Sequence, residues 1–586
     1  MNTKTIKNKQ LIYTVAFGLL FMFQACSEDF LDRDPLNQVT ERYIYDDMQA
    51  TQLHLDYIYD GATDPWGVMD GWYNHITETF FSSLADESLA MFAFWKTIDI
   101  NVGSLNPSSM WAFQNVWEYS YSTLRTANLF LRDIENAGWK EDNNLRYLQM
   151  IDEVKLLKAR IYARLVSLFG PVPIVDLVYT LENTDVRLER NSIEEVNARV
   201  YELIDEVLEN NVLPRSYYHI EGIENADQLR GKGMVTLAMA HALKARTAMY
   251  AASELFNPEN EMSKWEFAEQ VCADAIEFVE AEGHTFHPDY EEIFYVDYTD
   301  EVIWDRSFGS EDLGYKKQHY MNRMLSPNGY RGWTSLCPSH EFVESYETAD
   351  GKYIDDPTSG YQLDSFWVNR DPRFYESILY DGAFWKYREV ETFTPDGQDS
   401  PEGGIYAWNA SKTAYNWRKF INPSVPDDQI EGIRGQQNTI YFRYTELILN
   451  YAETLLAQGK FNQAREQINK ERTRINEDGT PLMPAIPDTE TGDDLWKRYR
   501  NERRVELALE PHRWFDLRRW KMAADVLDGY HFEKINIQLE EDGSKTYAVE
   551  ELRNLIIFEE RNYWLPIPQS EMDKVGSEEF YQNPGY

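Results

Sequence analysis

Leu148, Ile151, Val154, Leu157, Ile161, Leu165 and Leu168 recur at steps of three or four. That spacing lays one apolar stripe along a helix. Gly170 and Pro171 then stop it. A second helix is predicted over residues 234–256, where Ala238, Ala242, Ala245 and Ala248 sit at close-packing positions. After a break at Asn257 and Pro258, a third runs over 265–280. Near the C-terminus, 441–458 reads as helix, Gly459 and Lys460 as a turn, and 461–472 as the returning helix.

The hairpin at 441–472, with Tyr451, Ala452, Gly459 and Ala464, resembles a tetratricopeptide unit, and the pair at 234–280 looks similar. No fixed repeat runs through the chain, so the scaffold is read as irregular. Residues 284–440 have another character. Turn-forming runs such as Pro327-Asn328-Gly329, Asp355-Asp356-Pro357 and Pro401-Glu402-Gly403-Gly404 alternate with aromatics. Loops this long are functional or disordered, and the aromatic content argues for order. Residues 60–117 form a second aromatic stretch. The expected fold is mainly α: an irregular tetratricopeptide-like scaffold with a long loop-rich insertion of short helices and strands that carries the ligand site.

Charge narrows the function. Lys and Arg total 57 against 99 Asp and Glu, a formal net charge of −42. A nucleic-acid binder needs a basic footprint, and so does a protein held on anionic lipid by a basic face. Both are excluded in their ordinary forms. Apolar residues make up 43% and aromatics 14%, including 17 Trp and 38 Tyr. Such a surplus of large amphipathic rings suits a recognition surface. The 3 Cys, at positions 26, 272 and 337, support no disulfide framework or thiolate metal site.

The N-terminus reads as a targeting segment. Lys4, Lys7 and Lys9 precede an apolar run over residues 11–23, too short to span a bilayer. Ala25 before Cys26 resembles a bacterial lipobox, in which the signal is cut before a Cys that becomes lipid-modified. Ser27-Glu28-Asp29 resembles the surface-export tag of Bacteroidetes-type lipoproteins. The expected division is a signal peptide over 1–25, an N-terminal helical part with the anchor Cys over 26–283, the insertion over 284–440, and a C-terminal helical part over 441–586. These form one compact mature unit.

Motifs in order along the chain resemble the SusD/RagB family of outer-membrane nutrient-binding lipoproteins. They are DFLDRDP at 29–35; Asn128-Leu129-Phe130-Leu131 after Trp117 and Tyr121; FGPVPIV at 169–175; RDPRF at 370–374; and YFRYTELILNYAE at 441–453. NERRVELALE at 501–510 leads into RWFDLRRW at 513–520, and LPIP at 565–568 and QNPGY at 582–586 close the chain. One departure is Pro511, where the family usually has Gly. Arg443, Glu446, Glu502, Arg503 and Arg513 are read as partly buried ion pairs between helices, and Trp514 and Trp520 as core.

The resemblance implies capture of oligosaccharides, or sometimes peptides, before import, with a SusC-like TonB-dependent transporter as partner. It implies no cofactor. A sugar site needs exposed aromatic platforms edged by polar groups. The first candidate cluster is Trp66, Trp72, Tyr73 and Trp95, with Asp86 and Glu87 nearby. The family's starch-binding prototype takes a platform Trp from the segment corresponding to Trp95. The second cluster is Tyr295, Tyr298, Trp304, Tyr315, Tyr320, Tyr330 and Trp333, with Arg331, Asn328 and Lys316 as hydrogen-bonding groups. A peptide-binding lid of the same architecture and a lipid-anchored glycoside hydrolase are the alternatives. No nucleophile elbow, zinc helix or phosphate loop occurs, so the protein is read as a binder without catalytic residues. His284 and His287 lack a third metal ligand. Asp297, Asp300 and Glu301 are read as a solvated charge run rather than a calcium loop.

Overall fold

The structure is a computed structural model that describes residues 44–63, 78–92, 97–110, 112–179, 188–217, 233–308, 320–403, 407–430, 437–476, 478–576 and 578–586. Ten long helices form the frame among these residues. They are α1 (Met48–Thr63), α2 (Ala112–Asp133), α3 (Asn144–Phe169), α4 (Ile193–Asn210), α5 (Leu237–Ala252) and α6 (Met262–Ala281), then α7 (Tyr444–Ala457), α8 (Phe461–Arg472), α9 (Gly492–Glu506) and α10 (His512–Arg519). The helices from α3 to α9 pack each on the next in an unbroken file, with α7 taking its place directly against α6. The mainly α, tetratricopeptide-like scaffold expected from the sequence is therefore the observed one.

Local chemistry sets the helix ends. At the head of α4, Ser192 and Glu195 exchange hydrogen bonds in a capping box. Thr236 caps α5 by accepting from the Met239 N–H at 3.2 Å, so that helix begins at Leu237 rather than at 234. Gly170 ends α3 at φ 71°, and a Cβ there would press on the Trp564 ring at 3.2 Å. Ala238, Ala242, Ala245 and Ala248 are all buried, and small side chains let α4 and α6 close on α5 from both sides. Pro511 stands just before α10, at a position where a missing N–H costs no helix hydrogen bond.

Two expectations are corrected. The helix predicted over 441–458 starts only at Tyr444, because Thr439–Arg443 is strand β8, paired antiparallel with β2 (Val302–Arg306). The run Thr-Ile-Tyr-Phe is rich in β-branched and aromatic side chains, which fit a pleated surface better than a helix. The C-terminal part is also not wholly helical. β9 (His531–Leu539) and β10 (Lys545–Leu555) form a long antiparallel hairpin. Its signal was an Asp542-Gly543 turn after a stretch in which Ile535 and Ile537 alternate with polar residues. The remaining sheets are small. β1 (Ser88–Ala90) pairs with β3 (Leu336–Pro338), β4 (Ile378–Leu379) with β7 (Asn416–Trp417), and β5 (Phe384–Trp385) with β6 (Arg388–Glu389).

Where the loop-rich region meets α7–α9, a buried lattice of charges joins them. Arg373 lies against Asp371 at 2.8 Å, Glu502 at 2.6 Å, and Glu471 and Glu506 at 3.0 Å each. Arg443 meets Glu301 at 2.6 Å, Glu506 at 2.8 Å and Glu510 at 2.9 Å. Arg474 holds Glu506 at 3.1 Å, Lys419 holds Glu510 at 2.9 Å, and Arg472 bridges Glu347 and Glu502. Burial raises the carboxyl of Glu502, but Arg373 and Arg472 outweigh it and hold the group at about 2. Glu506 is likewise lowered against its burial, by Arg474, Arg443 and Arg373. Glu471 goes the other way, pushed up by burial and by Glu502. A second knot clasps α10 to α7 and α9: Arg503 meets Asp516 at 2.6 Å, and Arg519 meets Asp516 at 2.9 Å and also Glu453.

Removing one member leaves the others buried and uncompensated, which costs about 3–5 kcal/mol. Arg373→Ala is expected to lower the free energy of unfolding by that amount, read as a lower urea midpoint; an unchanged midpoint contradicts the lattice. Folding also depresses Glu502 and Glu453, each to about 2, below the free value of about 4.3. Their stabilising contribution is therefore complete above about pH 5 and disappears as the pH falls toward 2. Melting temperature measured from pH 7 to pH 2 should fall through that window, and less steeply in Glu453→Gln.

Candidate functional site

The loop after Leu325 folds back on itself. Thr334 N–H donates to Ser326 O at 3.2 Å, Gly332 N–H to Pro327 O at 3.1 Å, and Trp333 N–H to Arg323 O at 2.7 Å. A Cβ on Gly332 would collide with the Ser326 carbonyl, so glycine is required at this crossing. Arg331 takes φ 65° at the end of the short turn Asn328–Tyr330. This tight fold leaves Arg331 and Trp333 half-buried, and the Arg323 guanidinium covers Trp333 at 4.2 Å from its centroid.

A second turn, Ala407–Asn409, packs beside the first. Asn409 Nδ2 donates to Gly332 O at 3.4 Å. The turn thrusts Trp408 outward, 70% exposed. Phe92 stands next to it, with ring centroids 6.3 Å apart at 58°. The β1–β3 ladder brings Phe92 there: Met91 N–H donates to Ser335 O at 3.0 Å, and Lys412 Nζ donates to Met91 O at 3.3 Å. On the other side of the Asn328–Tyr330 turn, the β5–β6 hairpin presents Phe384 and Tyr387, 67% and 62% exposed. Tyr387 stands over Tyr330 at 5.7 Å and donates its O–H to Asp427. Arg388, 4.1 Å from the Tyr330 ring, is fixed by Asp399 at 2.6 Å. Four segments thus bring Phe92, Trp408, Trp333, Arg331 and Tyr387 around the Asn328–Tyr330 turn, with Phe384 exposed on the same hairpin as Tyr387. Exposed rings edged by a guanidinium and carboxylates can hold a flat, hydroxyl-rich ligand by stacking and hydrogen bonds.

The sequence candidates divide. Arg331 and Trp333 belong to this surface. Trp304 does not: it is 0% exposed on β2, its ring 4.9 Å from Tyr441 and 4.9 Å from the Arg160 guanidinium. Tyr330 is also core, its O–H donating to Trp385 O at 3.1 Å beneath the hairpin, and Asn328 is buried with it. Neither ring offers a face to a ligand. Tyr298 is half-buried elsewhere, its O–H 2.7 Å from Ser307 Oγ and its ring edge-on to Tyr217. Tyr295 and Tyr320 are half-buried. Cys26, Trp66, Trp72, Tyr73, Trp95, Tyr315 and Lys316 lie outside the described residues.

Asp86 and Glu87 are structural. Arg513 grips both Asp86 oxygens at 2.8 Å, with Arg504 at 2.9 Å. Glu87 is buried beside them, and burial together with Asp86 pushes its carboxyl well up. Glu301 is no solvated loop charge, since it is buried on Arg443. Among the described residues no cluster of His, Cys, Asp and Glu is arranged to hold a metal. Sequence reasoning missed Trp408, Phe92, Phe384 and Tyr387. The run Phe-Trp-Lys-Tyr at 384–387 held a signal: strand alternation turns Trp385 inward and Phe384 out.

Comparison with known proteins agrees with this architecture. Residues 300–586 match the family model described as SusD family, and residues 29–225 match one described as starch-binding associating with outer membrane. A SusD-like protein of Bacteroides ovatus is 20% identical over 530 residues, covering 88% of this chain and 83% of that one. A SusD-like carbohydrate binding protein of Bacteroides fragilis superposes with TM-score 0.72 at 24% identity, covering 90% of this chain and 98% of that one. Surface glycan-binding protein A of Bacteroides thetaiotaomicron, solved with laminarihexaose, gives TM-score 0.62 at 18% identity, covering 92% and 99%. The motifs read from the sequence, the file of helices and the two matches together assign the chain: it belongs to the SusD family.

Proposed function

We propose that this protein captures a neutral oligosaccharide or polysaccharide on the Trp408 surface at the outer membrane and delivers it to a SusC-like TonB-dependent transporter. One observation carries the reading: Trp408, 70% exposed, stands beside Phe92 on two loops joined by the hydrogen bond from Lys412 Nζ to Met91 O. A large ring held out in water by a rigid turn gains by covering its face with a sugar's C–H face. Trp95, three residues beyond Phe92, is proposed as a further ring of the platform. The family descriptions and the carbohydrate-binding relatives support glycan as the ligand class. The action is binding and hand-over without covalent chemistry. Lipid attachment at Cys26 is proposed to tether the chain to the membrane. A net charge of −42 favours neutral glycans over sulfated ones.

Trp408→Ala should weaken binding of the cognate oligosaccharide at least about 10-fold, or about 1.4 kcal/mol, with the melting temperature unchanged. Trp304→Ala should instead destabilise by about 3–5 kcal/mol. Calorimetry against panels of neutral glycans and oligopeptides provides the readout. Saturable peptide binding without glycan binding, or release of reducing ends by the pure protein, would overturn the proposal. Cys26→Ala is expected to release the exported protein from the membrane fraction; continued membrane retention would contradict the anchor.

A further inference from the structure

Asp86 and Glu87 are neighbours in sequence with opposite surroundings. Asp86 meets two guanidiniums: Arg513 of α10 at 2.8 Å to each oxygen, and Arg504 of α9 at 2.9 Å. Burial raises its carboxyl, but Arg504 and Arg513 outweigh it and hold the group well below the usual range. Glu87 is 0% exposed, and both of its carboxyl oxygens are fully enclosed and accept from no N–H or O–H. A carboxylate taken out of water needs donors in its place, and this one has none.

The cations that face Glu87 are committed elsewhere. Arg513 and Arg504 are spent on Asp86, and Lys419, just after β7, donates to Glu510 at 2.9 Å. Burial and the Asp86 charge push the Glu87 carboxyl well up, and Arg513, Arg504 and Lys419 offset only part of that. Burial also lowers Lys419, to about 8. The enclosed, unpartnered hydroxyl of Tyr346 is the other titratable group that feels Glu87.

Glu87 stands at the head of the β1–β3 ladder. Its carbonyl accepts from Ser339 N–H at 2.9 Å, and Ser339 Oγ donates to Asp86 O at 2.7 Å. The next residue, Ser88, accepts from Trp417 Nε1 at 3.1 Å on its Oγ. The same stretch then delivers Phe92 to the Trp408 surface. A charge on Glu87 would therefore fall at the joint between the helical frame and the ladder.

We propose that Glu87 is a neutral acid in the folded protein and acts as an alkaline latch: with its proton in place the β1–β3 ladder stays closed on α9 and α10, and loss of that proton releases the ladder. An ionised Glu87 gains its missing hydrogen bonds from water, which reaches it when the ladder opens. Folding raises the group above its free value of about 4.3. Its stabilising contribution is thus complete below about pH 4 and is lost as the pH rises.

Glu87→Gln keeps the shape and cannot ionise. Urea unfolding of both proteins from about pH 5 to about pH 9 is the test: the unfolding constant of the wild type should rise relative to that of Glu87→Gln by about tenfold per pH unit for as long as folded Glu87 keeps its proton. Lys419 and the charge lattice titrate in both proteins and cancel in the ratio. A ratio that stays constant over the range overturns the proposal. Hydrogen exchange of the wild type locates the effect with no variant and no ligand. Near about pH 6 the amides of β1 and β3 should open together with those of α7 and α9; by about pH 9 they should open at least about tenfold more often. Ladder amides that keep step with α7 and α9 throughout would refute the latch.

Discussion

A lattice of buried guanidinium and carboxylate groups binds stretches of chain that lie far apart in sequence. Arg373 reaches Glu471 across 98 positions, and Arg443 reaches Glu301 across 142. The partners on one side come from the loop-rich region and on the other from α7–α9. Dehydrating so many charges is expensive, and an apolar core of the same volume would be no less stable. What the charges add is direction. A guanidinium satisfies its donors only in a few orientations, so each pair fixes angle as well as distance. Among its described residues the loop-rich region has few long helices and only two-stranded sheets, so it needs that kind of fixing.

The Trp408 surface inherits the rigidity. Its rings sit on short turns with little secondary structure of their own. Each turn is braced from below by buried groups: Tyr330 under the β5–β6 hairpin, Arg388 on Asp399, Asn409 on Gly332. A ring presented on such a mount loses little conformational entropy when a ligand covers it. The helical file supplies the base, the charge lattice fastens the loops to that base, and the loops hold the rings.

The helical file was legible because its cause is local. A stripe at steps of three or four, an Ala-rich face and a Gly-Pro stop each say what α3, α5 and α6 do without reference to distant residues. The family motifs were equally legible, and the structure shows why they are charged: Arg373 in RDPRF, Arg443 and Glu446 in YFRYTE, and Glu502, Arg503, Glu506 and Glu510 in NERRVELALE all sit in buried ion pairs. The site was legible only in part. Aromatic content does not distinguish a ring standing out from a loop from one filling it, since both are apolar residues between turn formers. Trp304 and Tyr330 fill; Trp333 stands half out; Trp408 stands clear. That distinction depends on which turn backs onto which, a property of tertiary contact. The β9–β10 hairpin and strand β8 were missed for a different reason: their alternating and β-branched runs were present but were read through a helical expectation.

Native-state hydrogen exchange measured residue by residue addresses the central claim, that buried ion pairs make the loop-rich region and α7–α9 one cooperative body. The amides of β2, β3 and β7 should open with the same free energy and denaturant dependence as those of α7 and α9. Low-energy opening of the loop region while α7 and α9 stay protected would contradict it.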